Sequence, residues 1–189
     1  MEHKKKVYLA GPDVFEHDAI ARGKKYVKIA KEKGLIGMYP LDNTIDPNSQ
    51  NPDYEIFCVN KELLDSADYV VANLSDFRGH EPDSGTVWEV AYAIGKGKKV
   101  VGYINDNDPM LVRIAKKEGL NNLKKDDSGY KDSEGRHIEN FGNPLNLMLQ
   151  HSLHSVVHGT IADAFDEINK IIALEKSHIE ENKMKMKMK

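Results

Sequence analysis

The sequence predicts an α/β fold: a flavodoxin-like or Rossmann-like three-layer sandwich around a five-stranded parallel sheet in the order 2-1-3-4-5. Three observations carry this expectation. Apolar runs of strand length alternate with segments whose apolar residues recur at helical spacing. Glycine, proline, asparagine and aspartate gather between them and mark turns. A chain of 189 residues with a hydrophobic fraction of 40% is long enough to bury one core.

The elements follow in order. Residues 7–10 read as a buried strand ended by Gly11 and Pro12. Over 17–33, Ile20, Tyr26, Val27, Ile29 and Ala30 fall at helical spacing, and Gly34 is placed to cap that helix. Residues 35–39 form a second short strand, and 40–52, dense in Asp, Asn and Pro, a loop. A helix over 53–66 takes its apolar face from Ile56, Phe57, Val59, Leu63 and Leu64. Strands are expected over 69–74 and 99–104, with helices over 86–95 and 109–118. Residues 121–142 are polar and glycine-bearing and read as a mobile loop. A short helix over 143–150, with Pro144 near its start, leads to a fifth strand over 154–158 and a closing helix over 161–174. These boundaries give one domain over 1–175 and a disordered Lys/Met-rich tail over 176–189.

Composition excludes several function classes. A formal charge of -3 provides no general attraction to nucleic acid or to an anionic membrane. The one cysteine, Cys58, rules out an intramolecular disulfide and a Cys-x-x-Cys site, and reads as a small core residue. The basic N-terminus is followed only by the apolar run 7–10, too short for a signal-peptide core or a membrane span, so a cytoplasmic location is expected. Neither a dinucleotide fingerprint nor a phosphate loop is present. His151, His154 and His158 lack an organised acidic partner and read as surface histidines rather than metal ligands.

Chemistry concentrates in Phe77-Arg-Gly-His-Glu-Pro-Asp-Ser-Gly-Thr-Val-Trp-Glu89, a polar loop between a strand and a helix. In this architecture ligands bind beyond the carboxyl ends of the strands. Glu89, in the early part of the helix, reads as held ionised by the helix dipole. Such a carboxylate facing a cleft can attack a sugar C1 and hold it as an ester. Carboxylate pairs about 5 Å apart run glycosyl transfer with retention, and Asp83 is placed to protonate or hydrogen-bond the leaving group. The competing reading is that Asp83 caps the helix and Glu89 is a solvated helix residue; the loop by itself leaves both open. Tyr8 alternates with Val7 and Leu9 and reads as core, its hydroxyl needing a buried partner that Glu89 would supply. Arg78 and His80 read as holding the loop by pairing with Glu81 or Asp83, in preference to binding phosphate. Trp88 and Tyr92, four apart, read as packing on one helix face.

Four segments together resemble the nucleoside 2-deoxyribosyltransferase family, most closely its protozoan-type branch: Val7-Tyr-Leu-Ala-Gly-Pro-Asp-Val-Phe15, Pro40-Leu-Asp-Asn43, the run from Asn73 through Glu89, and Phe141-Gly-Asn-Pro-Leu-Asn-Leu-Met-Leu149. The resemblance implies exchange of the nucleobase of 2'-deoxyribonucleosides through a deoxyribosyl ester on Glu89. It implies that Tyr8 orients Glu89 and that Asp83 contacts the base. Phe15, Asn60 and Gly85 are implied as substrate-binding positions. Asn146 and Met148 match a segment that reaches into a neighbouring subunit's site, so a homo-oligomer with shared sites is implied. Two positions depart from the family pattern: Asn60 stands where bacterial members carry an aspartate, and Thr44 where some members place a glutamine. A 2-deoxy sugar reaches its oxocarbenium-like transition state readily, so a carboxylate and help for the leaving base suffice, and no metal or redox cofactor is called for. Water must be kept away from the glycosyl-enzyme. The partners expected are 2'-deoxyribonucleosides and free nucleobases. Two rival readings stand beside this one: an N-glycosidase of 2'-deoxynucleoside 5'-monophosphates, and a non-catalytic nucleoside sensor.

Overall fold

The structure, a computed structural model, describes residues 3–42, Asp46 and 49–187. Asn43 and Thr44, on which two of the expectations above fall, lie outside the described residues. In chain order the elements are β1 (Lys6–Ala10), α1 (Ala19–Glu32), β2 (Ile36–Met38), α2 (Pro52–Ser66), β3 (Tyr69–Asn73), α3 (Ser84–Gly95), β4 (Lys99–Ile104), α4 (Met110–Glu118), β5 (Lys124–Asp126), β6 (Gly129–Lys131), α5 (Leu147–Ser152), β7 (Ser155–His158) and α6 (Ile161–Lys187). A 3-10 turn, Pro12–Phe15, follows β1.

The main sheet is parallel in the order β2-β1-β3-β4-β7. Counted along the sheet-forming strands, this is the predicted 2-1-3-4-5 order. Successive side chains of a strand point to opposite faces, and here both faces are covered. Val7, Leu9, Val71 and Val101 pack under α1 and α6, against Phe165 and Ile168. Tyr8, Ala10, Val70 and Val100 pack under α2, α3 and α5, against Leu64, Val90 and Leu149. This alternation sends the Tyr8 side chain to the α3 side of the sheet, where it is fully buried.

Three expectations are corrected. Part of 121–142, read as a loop, forms an antiparallel hairpin of β5 and β6. Its turn is built by the Asp126 side chain, which accepts from the Ser128 amide at 2.9 Å, and by Gly129 at φ 121°. Met110, Ile114 and Ile138 bury a small satellite core beneath it. Second, the short helix expected from residue 143 starts at Leu147, because Asn146 caps it by accepting from the Met148 amide. Third, the tail expected to be disordered from 176 continues α6 to Lys187, with 176–187 exposed throughout. The segment has no glycine or proline and is rich in Glu, Lys and Met, which favour helix. Among the described residues no helix is long and apolar enough to cross a membrane.

Candidate active site

Three segments meet beyond the carboxyl end of β1. The turn after β1 is anchored by Asp13, 6% exposed, which accepts from Asn73 Nδ2 at 2.9 Å and from the Tyr26 hydroxyl at 2.8 Å. Gly11 is needed for this approach: a Cβ there would lie 2.9 Å from both Asn73 Cβ and Asp13 Oδ2. The turn carries Val14 and Phe15 to the site. Asp13 lies inside the motif at the end of β1, but its spacing there does not disclose this anchoring role.

The second segment is the loop 76–83, held by α4. Arg113, buried at 4% exposure within an otherwise amphipathic helix, donates to Asp76, to the Pro144 carbonyl at 2.6 Å and to the His80 carbonyl at 3.4 Å. Lys117, one turn on, donates to Asp76 and to the Gly79 carbonyl at 2.9 Å. His80 pairs with Glu118 at 3.1 Å, and Glu118 in turn accepts from the Ser133 amide at 2.9 Å. The guanidinium of Arg78 lies 4.7 Å from the Phe77 ring centre and 5.4 Å from that of Phe15. His80 therefore ties the loop to α4, while Arg78 only stacks on Phe15 and Phe77; among the described residues neither pairs with Glu81 or Asp83 as expected. Arg113 was not singled out from the sequence; the one signal available was an arginine among Met110, Leu111 and Ile114.

The third segment is α3. Asp83 is its N-cap: Oδ2 accepts from the Thr86 amide at 2.9 Å and the Thr86 hydroxyl at 3.0 Å. The capping half of the competing reading is thus realised, though Glu89 is not the solvated residue it supposed, and among the described residues only one carboxylate oxygen of Asp83 is occupied by the cap. Glu89 sits on the same helix with its Oε1 accepting from the Tyr8 hydroxyl at 2.5 Å. Burial raises the Glu89 carboxyl to about 7; the Tyr8 hydrogen bond opposes that and the Asp83 charge adds to it. The expectation that the helix dipole holds Glu89 ionised is overturned, since the sixth helical position lies beyond the first turn, where the dipole acts. Burial and the neighbouring Glu89 charge likewise raise the Tyr8 hydroxyl strongly, so it stays a proton donor.

Glu89 opens into two adjoining hollows. One, about 390 Å³, lies between Phe15, Leu41, Ile56, Asp83 and Thr86; the other, about 320 Å³, between Phe57, Lys61, Leu64 and Trp88. Asn60, Gly85 and Glu89 border both. These are volumes suited to a small ligand. Trp88 stacks on Tyr92 at 5.1 Å, as packing predicts, yet also walls the second hollow. Cys58 is half-buried on α2 and not a core residue.

The structure brings Tyr8, Phe15, Asn60, Asp83, Gly85 and Glu89 together. Asn146 and Met148 are elsewhere: they border a groove of about 600 Å³ on the other side of α3, with Val87, Ala91 and Ile94. Asn146 Nδ2 donates to Glu139 at 2.6 Å, and Met148 is 73% exposed. His151, His154 and His158 are exposed. Among the described residues, only Glu16, His17 and Asp18 bring three potential metal donors within 4.8 Å. That group is on the surface, and Arg22 already compensates Asp18 at 2.6 Å.

A family model described as nucleoside 2-deoxyribosyltransferase matches residues 7–148, most of the chain and every segment just described. The chain belongs to the nucleoside 2-deoxyribosyltransferase family. A 2-deoxyribosyltransferase from Leishmania mexicana superposes with a TM-score of 0.67 at 30% identity, over 86% of this chain and 95% of the other. A conserved protein from Enterococcus faecalis shares the fold, with a TM-score of 0.58 at 23% identity over 89% and 99% of the two chains. A Thermofilum pendens protein provisionally named 2'-deoxynucleoside 5'-phosphate N-hydrolase 1 is 32% identical over 98 residues, which is 51% of this chain and 65% of that protein. Members of this family are enzymes acting on deoxynucleosides.

Proposed function

We propose that this protein is a nucleoside 2-deoxyribosyltransferase that exchanges the base of 2'-deoxyribonucleosides without a cofactor. The observation that carries the reading is the Tyr8–Glu89 pair at 2.5 Å, opening into a hollow shared with Asp83. One Glu89 oxygen is fixed by the phenol, and the other forms the bond to C1' as the C1'–N bond breaks. The bonding pair leaves with the base, which Asp83 meets through the oxygen not used in capping. The incoming base attacks C1' from the vacated side, displaces the Glu89 carboxylate and gives up its N–H proton, which balances the proton the departing base takes up, and two inversions give net retention. Ionised Glu89 is required, so the rate falls as pH drops through about 7.

Asn146 and Met148 serve the Glu89 site of a second copy in this reading, which makes the enzyme a homo-oligomer. The groove they border lies outside their own subunit's hollow, which supports that assignment. A second reading, hydrolysis of 2'-deoxynucleoside 5'-monophosphates, is favoured by the name of the Thermofilum relative. Incubation of adenine with deoxyinosine, and separately with deoxyinosine 5'-monophosphate, separates the two. Deoxyadenosine appears if the enzyme transfers; free deoxyribose or its phosphate, with no exchange on any donor, refutes transfer. A 2-fluoro donor analogue should leave an adduct on Glu89, and a protein giving neither adduct nor product is a sensor.

A further inference from the structure

We infer that Arg78 is a nucleobase-binding residue that reads the paired acceptors O6 and N7 of a 6-oxopurine from the partition beside the Glu89 hollow. The inference rests on the deoxynucleoside reading above and specifies which base that site takes.

Three observations carry it. The first is charge. Arg22, Arg113 and Arg136 each lie within 4.0 Å of a carboxylate. Arg78 has no such partner among the described residues and is exposed. The second is conformation. Arg78 is the one non-glycine residue among those described with a positive φ, 44°. A side chain with a Cβ costs free energy there, and such strain collects at ligand clamps. The loop is held in this shape by bonds that do not involve the Arg78 side chain: Phe77 N to the Glu81 carbonyl at 2.9 Å, and Lys117 to the Gly79 carbonyl at 2.9 Å. Glycine follows immediately at Gly79, so the bend alone does not explain an arginine at 78.

The third observation is position. Phe15 and Phe77 stack at 5.6 Å, and the guanidinium lies over both rings. Phe15 and Asp83 wall the Glu89 hollow, while Arg78, Phe77 and Asp83 wall a larger polar one of about 770 Å³. The Arg78 stack and Asp83 therefore form the partition between the two. A base whose C1' sits at Glu89 meets the guanidinium when it extends toward that partition with its far edge leading.

The chemistry selects the base. A guanidinium offers two parallel N–H donors, which match adjacent acceptors. Hypoxanthine and guanine carry O6 and N7 side by side. Adenine has a donor amino group in place of O6, and pyrimidines have no N7. The same contact favours departure, since charge gathers on the purine as C1'–N9 breaks.

The test compares wild type with Arg78→Gly and Arg78→Lys. Glycine accepts φ 44° without cost, so R78G removes the guanidinium while relieving the backbone. Calorimetric affinity for hypoxanthine and for adenine is measured alongside KM for each as acceptor. Hypoxanthine should weaken at least about tenfold in R78G and less in R78K, with adenine within about twofold. Equal weakening of both bases makes Arg78 a loop-shaping residue and overturns the inference. Unchanged affinities, or a wild type that binds hypoxanthine no better than adenine, also overturn it. Wild type that binds bases selectively but exchanges none refutes the transfer reading and leaves the Arg78 contrast to be decided on binding alone.

Discussion

Helix α3 has two differently furnished sides. On one, Glu89 meets a fully buried phenol, and its hollow is walled by residues of the same chain. On the other, Val87, Ala91 and Ile94 form an apolar groove with the exposed Met148, and Asn146 spends its amide on Glu139. The first side holds the groups to which the proposed reaction assigns the displacement at C1'. The second holds the sugar-binding residues that the family resemblance implies, turned away from it. In the reading proposed here, bond-breaking groups are intramolecular and grip on the far end of the sugar is supplied by another copy.

The comparison can be broken at its first side most severely. Glu89→Ala should lower transfer by about 10⁴-fold or more in a steady-state exchange assay. Glu89→Gln tests the linkage. A carboxyl raised to about 7 stabilises the fold below its unfolded value and loses that contribution as pH rises through about 7. The Gln variant should therefore gain Tm over wild type at pH 8 and lose that advantage at pH 4. Next, Asp83→Asn should cost roughly 10²-fold in kcat. Asparagine caps a helix as well as aspartate does, so an unchanged Tm alongside the loss separates leaving-group assistance from capping. A Tm fall in proportion to the rate would assign Asp83 to capping alone.

Tyr8→Phe should slow transfer by up to about 10²-fold through misplacement of the nucleophile. Its hydrogen bond opposes the raised Glu89 value, so the acid limb of the pH–rate profile should move up from about 7. A limb that stays in place disconnects the phenol from the carboxylate. The smallest effect probes the second side: Asn146→Ala should cost about tenfold, the worth of one hydrogen bond. Mixing it with Glu89→Ala subunits should restore activity after subunit exchange. No recovery would return Asn146 to a local capping role.

The sheet is legible because its strands announce themselves: within β3 and β4, residues 69–72 and 100–104 run without a charged side chain, as strands buried on both faces must. Glu89 and Tyr8 could be paired in advance because a buried hydroxyl demands a partner. The hairpin was hidden because β5, Lys124–Asp126, has no apolar residue and is exposed throughout. Arg78 and His80 were mispaired because nearness in sequence favoured Glu81 and Asp83, whereas the partners come from Phe15 and from α4. The raised carboxyl of Glu89 is not legible in the sequence, which shows the helix but not the depth of its burial.

Glu118 gives the hairpin a purpose that its exposed strands conceal. One of its oxygens takes the His80 ring and the other the Ser133 amide, so a single carboxylate splints an external appendage to the loop that ends in Asp83. Shortening or shifting that appendage would be felt first not at the surface but in the angle of the Asp83 carboxyl, which in the proposed reaction faces the departing base.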